Sequence, residues 1–214
     1  MKSAILKKVN PSLREYIEEH IIPRYDEFDA GHRRDHVELV VEQSLILAQY
    51  YDVDVNMVYA IAAYHDTGLV EGRKRHHIVS GDIVRADAKL REWFDESQIK
   101  LIAEAVTDHR ASNDHEPRSI YGKIVAEADR VIDTEIIVRR TIQYGLTHYS
   151  HLNKEGHYHR FVEHMKEKYA YGGYLKLWIP QSPNAQRLES FRQILQKEEQ
   201  VKLLFEKMWI ELVG

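Results

Sequence analysis

The stretch VYAIAAYHDTG, residues 58–68, decides the fold, because an apolar helical segment here runs directly into a histidine followed by an aspartate. His65 and Asp66 each lie four residues after an apolar position of that segment, so both are predicted to face the interior. A buried carboxylate is costly unless it is paired or binds a metal, and imidazole is its commonest companion ligand. A core histidine hydrogen-bonded to an aspartate is the alternative interpretation. Gly68 is predicted to end the helix.

The composition indicates a globular protein with one good hydrophobic core. The chain has 214 residues, 43% of them hydrophobic and 30% charged. No run approaches the roughly 18 apolar residues of a transmembrane helix, and the first residues lack the apolar segment of a signal peptide. We therefore expect a cytoplasmic protein with no membrane association. The net charge of -4 gives no general basic field, which argues against extended nucleic-acid binding.

The histidine and cysteine counts constrain any metal chemistry. The chain has no cysteine and 13 histidines. Disulfides and thiolate ligands are therefore excluded, and a metal ion would need nitrogen and oxygen ligands from His, Asp and Glu.

Helical periodicity dominates the chain, and its 10 glycines and 5 prolines do not bound alternating strand patterns, so the fold is predicted to be all-α. Asn10 and Pro11 are typical of a helix start, and that helix is expected to stop near Pro23. Residues 25–32 are predicted to form a loop. Apolar stripes predict further helices at about residues 37–51, 77–88, 99–109 and 120–132.

The pattern loosens after about residue 147. Five histidines among residues 148–164 are interpreted as surface or interface residues, with a second metal site there as the alternative. Ser182 and Pro183 are predicted to start one final long helix, which would pack on the rest or form an oligomer surface. An oligomer surface there would be compatible with a homodimer, although the sequence does not determine the oligomeric state.

Six inward-facing polar residues lie at the ends or inner faces of the predicted helices and together make a metal-ligand inventory. They are His36, His65, Asp66, His77, His109 and Asp129.

This inventory resembles the HD-domain superfamily of metal-dependent phosphohydrolases, whose signature is a histidine, a His-Asp doublet at a helix end and a distant aspartate. His36, the doublet and Asp129 match it, and residues 25–44 and 127–130 resemble its local context. The similarity covers about residues 30–145, and residues 140–145 and 164–168 look like a subgroup of small HD hydrolases. It implies a single all-α domain over residues 1–214: an HD helical bundle with its core at about 30–145 and a C-terminal helical extension at about 146–214.

The resemblance also bears on the number of metal ions. Members with two ions use extra histidines between the doublet and the last aspartate, and His77 and His109 stand where those are expected. His76 is the substitute for His77, and a solvated or substrate-facing histidine is the alternative. Many similar small HD hydrolases lack the first of these histidines, so its presence points toward two-metal relatives.

The activity implied is that of a divalent-metal-dependent phosphohydrolase, a phosphomonoesterase or phosphodiesterase, acting on a phosphate ester of a nucleotide-like small molecule. The cofactor would be one or two ions of Mn, Fe, Co, Ni or Zn, which suit mixed His/Asp ligation. His65, Asp66 and Arg110 are the predicted catalytic residues. The residues predicted to hold substrate phosphates are Arg73, Lys74, Arg75 and Arg110. The alternative is a non-catalytic module that senses a nucleotide or holds a partner on the HD fold.

Overall fold

The computed structural model describes residues 6–29, 31–113 and 115–214, and this part of the chain contains helices and no strand. Its α-helices are α1 (Pro11–His20), α2 (Arg34–Ala48), α3 (Val55–Tyr64), α4 (His76–Ala86), α5 (Glu96–Asp108), α6 (Ile120–Asp129), α7 (Thr134–His148), α8 (Lys154–Tyr169), α9 (Asn184–Leu195) and α10 (Glu198–Val213). Short 3-10 helices lie at Leu6–Lys8, Ile22–Glu27, Thr67–Glu71 and Ala88–Glu92. The prediction of an all-α fold is confirmed.

The chain forms two compact units, of which the first holds the predicted site. The first unit runs through Arg130 and adds Trp178–Ser182, and the second comprises Val131–Leu177 and Pro183–Gly214. Helices α1 to α6 therefore belong to the first unit and α7 to α10 to the second. The single-domain assignment stays a prediction.

Helix α3 is the central helix of the first unit. It contacts α1, α2, α4, α5 and α6, and all of its residues from Met57 to Tyr64 are buried. A helix that is apolar on every side is stable only inside a core, so the sequence of α3 dictates its central position. The residues at its C-terminal end consequently lie in the middle of the unit.

The His-Asp doublet lies in a turn that follows α3. The prediction that Gly68 ends the helix is wrong, because α3 ends at Tyr64 and Gly68 lies inside the 3-10 helix Thr67–Glu71. Gly68 is required for close packing: a Cβ there would lie 2.1 Å from the carbonyl oxygen of His76 and 2.5 Å from the amide nitrogen of Ser80. The Gly68 N–H donates to Ser80 Oγ at 2.8 Å. The start of α4 thereby packs against the doublet.

Two boundaries in the N-terminal part differ from the sequence prediction. Asn10 caps α1 as expected, its side chain accepting from the amides of Ser12 and Leu13. The predicted loop at residues 25–32 begins inside the 3-10 helix Ile22–Glu27, which buries Tyr25. Helix α4 begins one residue earlier than predicted, at His76.

The second unit contains two departures from the prediction. Helix α8 forms in the stretch that had no clear pattern, and its buried residues are His157, Phe161, Met165 and Tyr169, four residues apart. That stripe was hidden because its first member is a histidine. The predicted single final helix is two helices, α9 and α10, separated by residues 196–197.

A buried carboxylate attaches Trp178–Ser182 to the first unit. Glu127 on α6 is fully buried and accepts from the amides of Trp178 at 2.7 Å and Ile179 at 3.4 Å. Such bonds satisfy main-chain groups that would otherwise be buried without partners. Within the described residues, no helix is long and apolar enough to span a membrane.

Candidate metal centre

The first cluster of potential ligands, here called the first triad, consists of His36, His65 and Asp66. His36 lies in the first turn of α2, and His65 and Asp66 follow α3. His65 Nε2 lies 3.4 Å from His36 Nε2 and 3.3 Å from Asp66 Oδ2. Asp129, the last residue of α6, adds a carboxylate whose Oδ1 is 3.1 Å from His36 Nε2. Helices α2 and α6 and the turn after α3 thus bring four side chains together.

The second triad consists of Asp66, His76 and His109. His76 is the first residue of α4, and His109 caps the C-terminal end of α5. Their Nε2 atoms lie 3.2 Å apart, and each is 3.3 Å from Asp66 Oδ1. Within each triad, the ligand atoms all lie within 4.8 Å of one another.

Asp66 belongs to both triads and divides its two oxygens between them. Oδ2 faces the imidazoles of His36 and His65, and Oδ1 faces those of His76 and His109. The carboxylate is buried, with 3% of the residue exposed. This arrangement fits a carboxylate that bridges two cations.

Main-chain carbonyls fix the tautomers of three of these imidazoles. The Nδ1 of His65 bonds the Ala62 carbonyl at 2.7 Å, that of His109 bonds Val106 at 2.6 Å, and that of His76 bonds Arg73 at 2.8 Å. A carbonyl can only accept, so each Nδ1 carries the proton and each neutral ring has its lone pair on Nε2. Metal-binding histidines are held in this way, by a hydrogen bond from the other ring nitrogen.

The contact between the Nε2 atoms of His76 and His109 tests whether these residues fit a metal ion. In the second triad, both Nε2 atoms carry lone pairs when neutral, yet they face each other at 3.2 Å beside a carboxylate oxygen. Such a contact is repulsive unless a positive charge lies among the three atoms. The donor set therefore fits a divalent cation held by imidazole and carboxylate.

The charge states of the site point the same way. Burial disfavours charge on His65, but the carboxylates of Asp66 and Asp129 outweigh it and raise the pKa of His65 to about 9. Burial works against the anionic form of Asp66, yet His65 and His109 hold its pKa well below the usual range. Burial and the neighbouring His109 lower the pKa of His76 to about 4. The first triad thus attracts positive charge, and the second offers a neutral imidazole beside an anionic carboxylate.

His76, and not His77, occupies the position that the sequence prediction gave to His77. Helix α4 begins at His76, and successive residues of an α-helix are about 100° apart around its axis, so the two rings diverge. His76 lies four residues before the buried Ser80, on the edge of α4 that meets the doublet. His77 stands on the next edge, where burial and the nearby Arg110 lower its pKa to about 4. The contact of Ser80 with Gly68 selects His76, and it is a feature of the packing that the local sequence pattern does not reveal.

The family comparison agrees with this geometry. A family model described as HD domain matches residues 33–132, from three residues before His36 to three after Asp129, and so encloses both triads. Residues 33–132 are an HD domain. The resemblance drawn from the sequence is confirmed at the level of the family. Comparisons with curated proteins and with solved structures found no match to the chain.

The family is one of metal-dependent phosphohydrolases, and both triads of this HD domain could hold a divalent metal ion. The predicted ligands His36, His65, Asp66, His109 and Asp129 are brought together, with His76 in place of His77. Their side chains come from α2, α4, α5, α6 and the turn after α3.

The basic residues predicted to hold substrate phosphates lie beside the second triad. Arg73, Lys74 and Arg75 are exposed and lead directly into His76. Arg110, next to His109, donates through Nη1 to the Lys74 carbonyl at 2.9 Å and so ties this basic loop to the end of α5. The phosphate-binding roles of these residues and the catalytic role of Arg110 stay predictions.

His32 and Arg130 lie close in sequence to the ligands His36 and Asp129, and both have hydrogen-bond partners. His32, one turn before His36, bonds Asp29 Oδ1 through Nδ1 at 2.8 Å. Arg73 Nη1 lies 3.6 Å from Asp29 Oδ2. Arg130 is buried, with 6% of the residue exposed, and donates to the carbonyl of Ala126. Arg130 therefore lies in the interior, next to Asp129.

Tyr25 positions the doublet and was not identified from the sequence. Its buried hydroxyl donates to the Ala63 carbonyl at 2.9 Å and accepts from the Asp66 N–H at 3.2 Å. Burial and the nearby Asp66 carboxylate raise the pKa of Tyr25 well above its usual value, so the phenol stays protonated. A tyrosine in the 3-10 helix before α2 thus orients the turn that carries the ligands.

The Tyr25→Phe variant is expected to fold but to bind metal about tenfold more weakly, the effect of losing a group that orients a ligand. The two lost hydrogen bonds should lower the free energy of unfolding by about 1–2 kcal/mol. Metal titration by calorimetry and denaturant unfolding would measure both changes. Tyr59→Phe, which removes the hydroxyl of another buried tyrosine that has no bond to the doublet, is the control. Equal metal affinity in the two variants would contradict the role of Tyr25.

Proposed function

We propose that this protein is a divalent-metal-dependent phosphohydrolase that cleaves a phosphate ester of a nucleotide-like small molecule with two ions. The observation that carries the proposal is Asp66, whose two oxygens each face a separate pair of imidazole Nε2 atoms. An HD domain with both triads intact has the donors for two ions and not merely one.

The residues of the two triads and Asp129 would each bind one ion or both. His36, His65 and Asp129 would hold the first ion and His76 and His109 the second, with Asp66 shared. Bound divalent ions lower the pKa of water toward 7 and neutralise charge on phosphoryl oxygens. The carbonyls of Ala62, Arg73 and Val106 each accept from an Nδ1–H, and so hold the imidazoles with Nε2 directed at the site. They stop the imidazoles from rotating out of the site when substrate enters.

The basic loop, residues 73–75, would bind the negatively charged phosphate of the substrate. Arg73, Lys74 and Arg75 are exposed next to His76, and Arg110 braces the loop through the Lys74 carbonyl. Guanidinium groups bind phosphate through paired, charge-assisted hydrogen bonds. The loop therefore supports a small phosphorylated substrate, whose phosphate would reach the second triad first.

A matched pair of variants separates the two adjacent histidines of α4. We expect His76→Ala to retain about one ion per chain and to lose most turnover, because two-ion hydrolysis requires both cations. His77→Ala should retain two ions. Elemental analysis of protein reconstituted with Mn²⁺, together with the hydrolysis rate, would measure both. If His77→Ala, and not His76→Ala, loses an ion, the geometry of the second triad is contradicted.

The activity itself is tested by a screen in the presence of Mn²⁺, Co²⁺ or Ni²⁺. The compounds would be nucleoside mono-, di- and triphosphates, cyclic nucleotides and a generic aryl phosphate. We expect metal-dependent release of phosphate or of a nucleoside monophosphate from at least one class. Thermal stabilisation by a nucleotide without turnover would reject the enzyme and favour the nucleotide-sensing module.

A further inference from the structure

Asp29 links the segment before α2 to the basic loop. Its Oδ1 accepts from the His32 Nδ1–H and from the Gly31 N–H, both at 2.8 Å. Its Oδ2 lies 3.6 Å from Arg73 Nη1. A carboxylate can only accept, so both the charged and the neutral form of His32 can make the bond through Nδ1–H. One oxygen of Asp29 is thus fixed by its own loop, and the other faces Arg73.

The residues on either side of Asp29 each contact a predicted metal ligand. The ring of His32 meets that of His36, a ligand of the first triad, with 5.8 Å between the ring centroids. The carbonyl of Arg73 accepts from Nδ1 of His76, a ligand of the second triad, at 2.8 Å. Asp29 therefore joins a neighbour of the first triad to a neighbour of the second.

Arg73 differs from the other two basic residues of the loop in having a carboxylate contact. In the described part of the chain, no ion pair involves Lys74 or Arg75. A long exposed side chain loses conformational entropy when a ligand fixes it. A side chain that already has a partner has less of this entropy to lose, so it binds a given ligand more tightly.

We propose that Arg73, positioned by Asp29, is the residue of the basic loop that binds the substrate phosphate. The inference rests on the proposed function for the identity of the ligand, and it narrows three basic residues to one. A guanidinium is planar and matches two phosphate oxygens with two N–H donors, which an ammonium group cannot do. Asp29 acts through Arg73 and does not itself touch the phosphate, so it is a positioning residue.

Asp29 has two effects on phosphate binding, and they have opposite signs. The hydrogen bond from His32 holds the pKa of Asp29 well below its usual range, so the carboxylate is anionic. A nearby anion repels phosphate, so charge alone predicts that Asp29→Asn strengthens binding. Loss of the contact with Arg73 predicts weaker binding. We expect the second effect to dominate, because the repulsion acts over a longer distance and about half of the Asp29 side chain is in solvent, which screens it.

A matched pair of arginine variants tests which residue of the loop binds phosphate. Inorganic phosphate would be titrated by calorimetry into protein loaded with Mn²⁺. Arg73→Gln should weaken binding about tenfold, the loss of charge-assisted hydrogen bonds. Arg75→Gln removes the same charge two positions away and should weaken binding by less than about twofold. Equal weakening in the two variants, or no phosphate binding by the unsubstituted chain, would overturn the proposal.

A double-mutant cycle tests whether Asp29 acts through Arg73. Asp29→Asn alone should weaken phosphate binding about fivefold, the upper end for an exposed ion pair, and should have no further effect in the Arg73→Gln background. Asp26→Asn is the control, because Asp26 lies in the same segment and pairs with Arg34 at 2.6 Å at similar exposure. It should leave phosphate binding unchanged. Unchanged or tighter binding by Asp29→Asn, or equal weakening in both backgrounds, would overturn the role of Asp29.

Metal content separates this role from a purely structural one. Elemental analysis should show the same number of ions in Asp29→Asn as in the unsubstituted chain. A lost ion would overturn the proposal, since Asp29 would then act through His76 and the second triad. Phosphate binding requires no turnover, so coupling between Asp29 and Arg73 in a chain that hydrolyses nothing would support this inference and reject only the enzyme. Turnover without coupling would reject this inference alone.

Discussion

Asp66→Ala is expected to remove both metal ions and to lower turnover by roughly 10⁴-fold, the scale on which single catalytic residues act in hydrolases. Asp66 supplies the carboxylate that the two triads share, so its loss leaves neither cation with a complete set of ligands. The protein should still fold. Removing the side chain also removes the cost of burying a carboxylate, so the unfolding free energy of the metal-free protein should change by no more than about 1 kcal/mol.

Asp108→Ala is the matched control, because Asp108 is also a buried aspartate at the end of a core helix. Asp108 precedes the ligand His109, but its carboxylate belongs to neither triad and accepts from the Arg118 guanidinium at 2.8 Å and from the Arg118 N–H at 2.8 Å. Its loss should cost about 1–3 kcal/mol of stability and leave two ions bound. Elemental analysis, hydrolysis rates and denaturant unfolding should therefore show lost metal and activity with little change in stability for Asp66→Ala. For Asp108→Ala they should show lower stability with two ions retained. Normal metal content in Asp66→Ala would show that the site lies elsewhere.

Gly68→Ala is expected to lower the free energy of unfolding by about 3 kcal/mol or more, the upper part of the range for overpacked cores. The added methyl group would meet main-chain atoms of His76 and Ser80 at 2.1 Å and 2.5 Å, which cannot rotate away as a side chain can. Any relaxation must push the start of α4 away from the doublet. The second triad should therefore lose its ion even where the protein still folds.

Gly156→Ala is a suitable comparison, since Gly156 lies in α8 and its nearest outside contact is the Leu152 side chain at 3.2 Å. Alanine is a better helix former than glycine by up to about 1 kcal/mol, so this variant should be neutral or slightly stabilised. Thermal unfolding and metal content would be measured for both. A Gly68→Ala protein with unchanged stability and two bound ions would contradict the close approach of α4.

The first triad could be predicted from the sequence because its information is local. His65 and Asp66 follow an apolar helix at the spacing that turns them inward, and His36 lies in the first turn of an amphipathic one. Periodicity places an inward-facing residue to within one or two positions. That precision identifies the ligand where only one histidine lies in the range, as at His36. Asp129, partly buried at the end of α6, follows from the same reasoning.

The rest depends on where helices begin and on how they pack. The choice between His76 and His77 required the first residue of α4, and helix boundaries are the least certain part of a pattern. Tyr25 contacts the doublet across 41 positions of sequence, so no local pattern reveals its role. Helix α8 was missed because its stripe contains a histidine, although its four-residue spacing is regular.

Anomalous diffraction from crystals soaked in excess Mn²⁺ tests the two-ion account most directly. We expect two peaks roughly 3.5–4 Å apart, one on each side of the Asp66 carboxylate, with His36, His65 and Asp129 around the first and His76 and His109 around the second. A single peak with His76 and His109 turned away from it, or no peak beside Asp66, would contradict the account.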